Sequence, residues 1–240
     1  MQNNLSSEQI AILELLCSSQ KENIELAKTL AMSQGIDLVN FLKSIGYDKL
    51  GLAKAEDFMR TKLYLMDDNV DYWSEYLPQS VTKLQVKNYS KPTLPDYLPP
   101  NLIVLDCWNK QIVSLPDNLP NSLQRLNCYL NNITKFPDNL PTQLTVLYCH
   151  GNQINSLPNH LPDNLEELDC SYNQIISLPD YLPANLEELD CSYNQIVRLP
   201  DNLPLSLKKL DCSNNEITNI PQYLIDRGVK IKYEGNPIQK

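Results

Sequence analysis

Apolar residues recur along this chain in a fixed frame of 21 positions. The frame reads L-P-x-x-L-P-x-x-L-x-x-L-x-C-x-x-N-x-I, and its six clear copies begin at Leu94, Leu115, Phe136, Leu157, Leu178 and Leu199. Two irregular copies flank these, one from about Trp73 and one from Ile220. The sequence therefore predicts an array of repeats that runs from about Trp73 to Ile238.

Each repeat contains a short stretch in which apolar and polar residues alternate. In one copy Leu168 and Cys170 flank Asp169, a period of two that predicts a strand with Leu and Cys inside and Asp outside. One unit is too small to bury its own apolar residues, so the units must stack into a solenoid with a parallel sheet. Pro158 and Pro162 lack an amide donor and disfavour a helix, which predicts an extended segment or tight turn on the returning side.

An asparagine recurs at one register of the repeat. Its members are Asn131, Asn152, Asn173, Asn194, Asn215 and Asn236. A buried amide at this point is expected to bond the turn of its own and of the neighbouring repeat. Tyr89 and Lys110 occupy the register in the two earlier copies, so we expect the asparagine ladder to begin at Asn131.

The first 72 residues have a different composition, since all 17 prolines lie at or after Pro78. Helical patterns and their boundaries predict four helices here. The first helix begins at Ser6 or Ser7, with Glu8 and Gln9 as capping residues. The second runs from about Glu22 to Ser33 and is ended by Gly35. The third begins at Asp37, and the fourth runs from Lys54 to Leu65. We predict a helical cap domain at 1–72 and a solenoid at 73–240, because a solenoid end exposes apolar surface. The alternative is a separate docking or targeting element.

The spacing L-x-x-L-x-C-x-x-N-x-I resembles the leucine-rich repeat, with Cys where most members have Leu. Its short L-P-x-x-L-P segment is similar to the repeats of YopM and IpaH-type effectors, which bacterial pathogens inject into host cells. The resemblance implies an α+β repeat fold: a leucine-rich repeat solenoid with a parallel β-sheet on its concave face and an N-terminal helical cap. IpaH-type effectors also carry a ubiquitin-ligase domain, but only two residues follow Ile238, so ligase activity is not expected.

The net charge of -9 is carried by the repeats, because Leu94 to Asn219 contains 6 Lys and Arg against 15 Asp and Glu. Such a surface repels nucleic acid and favours a basic protein surface. No apolar run approaches the roughly 18 residues that a membrane span requires. Met1 to Gln20 lacks the features of a signal peptide. We therefore expect no membrane association and a cytoplasmic location, or secretion into a host cell without a cleaved signal peptide.

The cysteines argue against metals and disulfides. Six of the seven recur once per repeat, at Cys107, Cys128, Cys149, Cys170, Cys191 and Cys212. A straight row of thiols on parallel strands has neither the tetrahedral convergence of a zinc site nor the side-chain directions of a disulfide. We predict small buried apolar residues at these positions and at Cys17, with no metal and no cofactor.

The sequence offers little for catalysis. His150 and His160 are the only histidines, and the nearest thiol, Cys149, points to the opposite side of the strand from His150. No Gly-rich phosphate loop, H-E-x-x-H or paired C-x-x-C occurs. The chain is not expected to be an enzyme. The alternative is an enzyme with a site in the helical cap.

Two patches are predicted on the outward strand positions. The aromatic patch contains Trp108, Tyr129, Leu130, Tyr148 and His150, residue types that anchor interfaces. The acidic patch contains Glu166, Glu167, Asp169, Glu187, Glu188, Asp190 and Asp211, with Lys208 and Lys209 beside it and Tyr172 and Tyr193 at its border. Alternatively, the rings pack on each other to shield the sheet, and the carboxylates provide solubility copied by duplication. Repulsion between rungs would be relieved by a basic partner or a divalent cation.

Together these patterns lead to the hypothesis of a non-enzymatic protein–protein interaction module. Its concave face would bind a protein partner with a basic segment, and it would act as a bacterial effector in a host cell. The alternatives are a resident bacterial scaffold and a protein that recognises a small ligand such as a sugar. We expect a monomer, although the open sheet edge near Lys240 allows pairing with a second chain.

Overall fold

The fold is a solenoid built around one parallel β-sheet. The structure is a computed structural model that describes residues 6–16, 26, 29–31, 33–36, 62–65, 81–86, 91–96 and 98–238. In these ranges the strands are β1 (Lys62–Leu65), β2 (Lys83–Val86), β3 (Val104–Asp106), β4 (Arg125–Asn127), β5 (Val146–Tyr148), β6 (Glu167–Asp169), β7 (Glu188–Asp190), β8 (Lys209–Asp211) and β9 (Lys230–Lys232). The helices with defined bounds in these ranges are α1 (Ser7–Leu16) and α2 (Gln222–Asp226).

The strands follow one another in chain order across the sheet, and every neighbouring pair is parallel. Pairing always joins residues 21 positions apart, for example Leu147 with Leu168 and Leu168 with Leu189. Each repeat thus contributes one rung, with identical register throughout. This confirms the predicted leucine-rich repeat solenoid with a parallel sheet, including the rungs at Val81 to Val86 and at Ile231.

The core lies on the inner side of the strands. Leu126, Cys128 and Ile133 have no exposed surface, and their counterparts in the other clear repeats are buried equally well. On the returning side the second proline of each frame closes a tight turn, in which Leu165 N donates to Pro162 O at 3.0 Å. The predicted turn is therefore confirmed.

Helix α2 is an exception to the predicted absence of a helix on the returning side. The last repeat keeps the first proline of the frame as Pro221 but has Ile225 where the second would stand. Because Ile225 retains its amide, a short helix can form directly after Pro221. Leu224 of this helix is fully buried.

The predicted asparagine ladder is present from Asn131 to Asn236. Nδ2 of Asn152 donates to Cys149 O of its own repeat at 2.9 Å and to Cys128 O of the preceding repeat at 3.0 Å. Its Oδ1 accepts from Ile133 N at 2.9 Å. The remaining rungs repeat the pattern, and each amide therefore bonds its repeat to the one before it.

The described N-terminal residues agree in part with the predictions. Ser6 and Gln9 cap α1 reciprocally, with Ser6 N donating to Gln9 Oε1 at 2.9 Å and Gln9 N donating to Ser6 Oγ at 3.3 Å. Residues 29–31 are helical, and Gly35 follows with φ of +65°, as expected for a helix end. No helix in the described ranges is long and apolar enough to cross a membrane.

The helix predicted from Lys54 to Leu65 is wrong at its end, because Lys62–Leu65 form strand β1. β1 pairs with β2 in the same 21-residue register as the other rungs, so the sheet begins within the segment assigned to the cap. The rest of this helix, the helix from Asp37 and Cys17 lie outside the described residues. The division at residue 72 and the covering role of the cap remain predictions.

Candidate partner-binding face

The outer face of the sheet is formed by four residues of each repeat. They stand three positions and one position before the buried Cys, and one and two positions after it. All ten residues predicted from the sequence to bind a partner lie at three of these registers: Trp108, Tyr129, Leu130, Tyr148, His150, Asp169, Tyr172, Asp190, Tyr193 and Asp211. The in-register pairing of β3 to β9 places them side by side in rows along the solenoid.

Three rings of the predicted aromatic patch form a continuous stack. The ring centroids of Trp108 and Tyr129 are 5.5 Å apart with planes 6° from parallel, and those of Tyr129 and His150 are 4.5 Å apart at 12°. Lys110 Nζ lies 5.6 Å from the Trp108 ring centroid. The rings therefore pack on one another, which was the alternative interpretation, but Trp108 keeps 36% of its surface exposed at the end of this aromatic stack.

Tyr148 belongs to a different row and is not part of the stack. Its hydroxyl donates to Glu167 Oε2, and the Arg125 guanidinium carbon lies 5.6 Å from its ring centroid. The hydrogen bond to the Glu167 carboxylate, together with partial burial, raises the pKa of Tyr148. Arg125 was not among the predicted site residues, although it stands at an outward strand position.

His150 joins the aromatic stack to the acidic patch. Its Nδ1 lies 2.9 Å from Asp169 Oδ2, although the two groups do not have the alignment of a hydrogen bond. The Ser171 hydroxyl donates to the other carboxylate oxygen of Asp169 at 2.7 Å. Asp169 therefore stands between the imidazole and the hydroxyl, whereas a serine nucleophile requires its hydroxyl on the imidazole. This group is not a catalytic triad.

Three aspartates form a row in the acidic patch, and each is held by the serine two residues later. Asp190 accepts from Ser192 Oγ at 2.6 Å, and the bonds from Ser171 and Ser213 to Asp169 and Asp211 are equivalent. Burial raises the pKa of Asp190, against the two hydrogen bonds from Ser192. The flanking Asp169 and Asp211 also raise it, because their negative charges disfavour ionisation of a third carboxylate between them.

Lysines of the following rung relieve part of the predicted repulsion. Lys208 Nζ lies 2.5 Å from Glu187, Lys209 Nζ lies 2.5 Å from Glu188, and Lys232 Nζ lies 3.0 Å from Asp211. Burial opposes ionisation of Asp211, but hydrogen bonds from Ser213 and Lys232 outweigh it and lower the Asp211 pKa.

Lys230 and Lys232 were not predicted as site residues. Their signal was present in the sequence, because Ile231 falls in the repeat frame and its neighbours must point outward.

A groove of about 530 Å³ runs along this part of the outer face, from β5 to β9. Its charged and aromatic lining consists of Tyr148, Glu167, Asp169, Glu188, Asp190, Lys209, Asp211, Lys230 and Lys232. Among the residues that the structure describes, no cluster of His, Cys, Asp and Glu has an arrangement that could hold a metal ion.

The row two positions after Cys has an unusual backbone. Leu130, Tyr172 and Tyr193 have φ between +50° and +53°, a region that bulky residues seldom adopt. Asn109 and Gly151 occupy the same register in other repeats. The Tyr172 and Tyr193 rings stack at 4.1 Å and are 55% and 46% exposed. Large side chains therefore stand here in spite of a local backbone cost.

The repeated thiols are buried and free, as predicted. Burial raises the pKa of Cys128 and of Cys212 to about 12 and raises those of the other four as well. Each thiol therefore stays protonated and unreactive at neutral pH.

Comparison with known proteins agrees with this architecture. The family model for the Leucine Rich Repeat matches three consecutive segments, 164–184, 185–205 and 206–226, with the spacing of 21 residues. The solenoid has the leucine-rich repeat fold. Among curated proteins, no sequence matches the chain significantly.

Solved structures of bacterial leucine-rich repeat proteins are similar to this chain. YopM, a leucine-rich effector protein from Yersinia pestis, is 28% identical with a TM-score of 0.54, over 66% of this chain and 50% of YopM. The chain thus spans about half of that structure. The leucine-rich repeat domain of a Shigella effector is 26% identical with a TM-score of 0.60, over 81% and 76% of the two chains.

An internalin-like protein of Listeria monocytogenes shares the fold, with 22% identity and a TM-score of 0.62 over 79% of this chain and 64% of its own.

Proposed function

We propose that this protein is a non-enzymatic interaction module that binds a partner protein through the outer face of its sheet, the face predicted to be concave. The observation that carries the proposal is the groove, whose β6 and β7 rungs present Glu167, Asp169, Glu188 and Asp190. A basic segment of the partner would lie against these carboxylates. Opposite charges would speed the encounter and fix the register of the bound segment.

The aromatic stack supports the same face. Trp108 is exposed at one end of the stack, and His150 at the other end contacts Asp169. A partner that covers the carboxylates can therefore also bury an indole ring, the side chain most enriched at binding hot spots. Sugar recognition has less support, because Tyr129 is covered by neighbouring rings on both sides.

We further propose that the protein acts as a bacterial effector inside a host cell. The proposal rests on the similarity to YopM and to the Shigella effector domain, both above 25% identity. A resident bacterial scaffold is the alternative. The two settings differ in the organism that supplies the partner.

A pull-down from bacterial and from eukaryotic lysate tests the binding face and the setting together. The bait variants are Trp108→Ala/Tyr129→Ala and Glu167→Lys/Glu188→Lys. The matched control is Asp138→Lys/Asp201→Lys, which makes the same charge change at exposed residues of the returning segments. Circular dichroism must first show that every variant is folded.

We expect a partner that both face variants lose and the control retains, and we expect it from the eukaryotic lysate. A partner found only in the bacterial lysate would indicate a resident bacterial scaffold and would contradict the proposed role as an effector. Capture that is the same with all variants would overturn binding through the outer face.

A further inference from the structure

The groove on the outer face has two halves of opposite charge. On β6 and β7 the outward residues are acidic, and Glu166 and Glu187 add to them at the strand starts. On β9 both outward residues are lysines, Lys230 and Lys232, whereas β8 presents Lys209 together with Asp211. The groove therefore changes from negative to positive along the solenoid axis.

Internal ion pairs neutralise only part of this pattern. Lys209 reaches back to Glu188 and Lys232 reaches back to Asp211. Within residues 98–238 no ion pair involves Asp190 or Lys230, and both line the groove. Ser192 engages only Oδ1 of Asp190, so the other oxygen of this carboxylate and the Lys230 ammonium group remain available to a ligand, one in each half.

A purely basic segment does not fit the whole groove. It would satisfy Asp169 and Asp190, but its remaining cations would lie against the lysines of β8 and β9. Like charges placed together at an interface disfavour binding. The segment must therefore carry negative charge where it passes Lys230 and Lys232.

The spacing of the rungs sets the distance between the two charges. Neighbouring strands lie about 4.8 Å apart, so β9 is about 10 Å from β7 and about 14 Å from β6. An extended chain advances about 3.3 Å per residue, so about three or four residues span this distance.

We propose that the groove binds an extended segment of a partner protein in which a basic and an acidic residue stand three or four positions apart. The basic residue lies against Asp169 and Asp190, and the acidic residue lies against Lys230 and Lys232. This inference rests on the proposed function and adds the chemistry of the partner. It assigns β8 and β9 a role in specificity, because they exclude segments that are basic throughout.

Selection from a phage-displayed library of random peptides against the full chain tests this inference. The library is also selected against Lys230→Glu/Lys232→Glu and against Glu167→Lys/Glu188→Lys. The matched control is Lys135→Glu/Arg198→Glu, which makes the same charge change as Lys230→Glu/Lys232→Glu at exposed residues away from the outer face. The most enriched peptide is then synthesised, and its Kd for each variant is measured by fluorescence anisotropy.

We expect the wild-type chain to select peptides with the two opposite charges at the stated spacing. Peptides selected against Lys230→Glu/Lys232→Glu should carry a basic residue in place of the acidic one. Peptides selected against Glu167→Lys/Glu188→Lys should carry an acidic residue in place of the basic one. Each should bind the wild-type peptide about tenfold more weakly, equivalent to about 1.4 kcal/mol. The control should behave as wild type.

Peptides that are basic throughout and insensitive to Lys230→Glu/Lys232→Glu would overturn this inference while leaving the proposed function intact. Selected peptides that bind all variants equally, or a failure to enrich any peptide, would count against both.

Discussion

The inner and outer sides of the same strands obey different rules. On the inner side, each clear repeat keeps a buried Leu and Cys, and five of the six keep the ladder Asn. On the outer face, the residue one position before Cys changes from Asn127 to Tyr148 and then to Asp169. The difference shows that stacking fixes the inner residues, whereas the outer residues are free to carry a function.

The two sides also differ in how their charges are treated. The inner thiols have no contact with solvent and are kept neutral by burial, while the outer carboxylates of Glu187 and Glu188 are exposed in part and paired with lysines of the next rung. Substitutions should therefore have large effects on stability inside and small or even favourable effects outside. Three predictions test this contrast.

Alkaline pH should have the largest effect, because it acts on all six inner thiols together. Their folded pKa values lie above the ordinary value of 9.0, so stability is full below about pH 9 and is lost as the pH rises toward 12. Above pH 9 each thiol lowers the free energy of unfolding by about 1.4 kcal/mol per pH unit, so the six together lower it by about 8 kcal/mol at about pH 10. Urea unfolding with a reductant at several pH values measures the loss.

Cys128→Ala is the matched control for the pH effect, since it removes one of the six titrating groups and should lessen the pH dependence by about a sixth. An unfolding free energy that is the same at pH 9 and pH 10 would contradict the account of the thiols.

Asn152→Ala should have the second largest effect. It removes three hydrogen bonds and leaves the buried Ile133 N without its side-chain partner, while Cys128 O and Cys149 O keep only the bonds from the neighbouring ladder asparagines. We expect a loss of about 3 kcal/mol in unfolding free energy. The comparison is Asn155→Ala, an exposed asparagine, which should change stability by less than about 0.5 kcal/mol. Equal losses in the two variants would mean that the ladder does not stabilise the stack.

Leu130→Asn should have the smallest effect, with the opposite sign. Leu130 is 50% exposed with φ of +53°, and Asn109 and Asn214 adopt the same conformation at the same register. Asn tolerates this region of φ better than Leu, so we expect the free energy of unfolding, measured by thermal unfolding, to rise by about 0.5 kcal/mol. A loss with Leu130→Asn would show that Leu130 serves the fold instead.

The sequence was sufficient for the regular part of the fold. The spacing of 21 residues predicted the parallel register, and the positions of Leu168, Cys170 and Asn173 predicted which side each would face. These are periodic properties, and a repeat array is determined by contacts between identical neighbours.

Elements that lack the 21-residue repeat frame could not be predicted from the periodicity. Strand β1 has no L-P-x-x-L-P segment before it, and its pairing with β2 depends on the sheet that already exists beside it. The ring stack from Trp108 to His150 and the contact of His150 with Asp169 depend on rotamers. The register showed which residues share a row, but not which of them would touch.

The asparagine ladder has one further consequence, because its bonds all point the same way. Every ladder amide reaches back to the preceding repeat and none completes the repeat that follows it, as with Asn173 and Cys149 O at 3.1 Å. A repeat is therefore finished only when the next one arrives. Synthesis on the ribosome starts at the N-terminus. Each repeat of the growing chain would therefore be completed as the next one leaves the exit tunnel, and the solenoid would form in one direction.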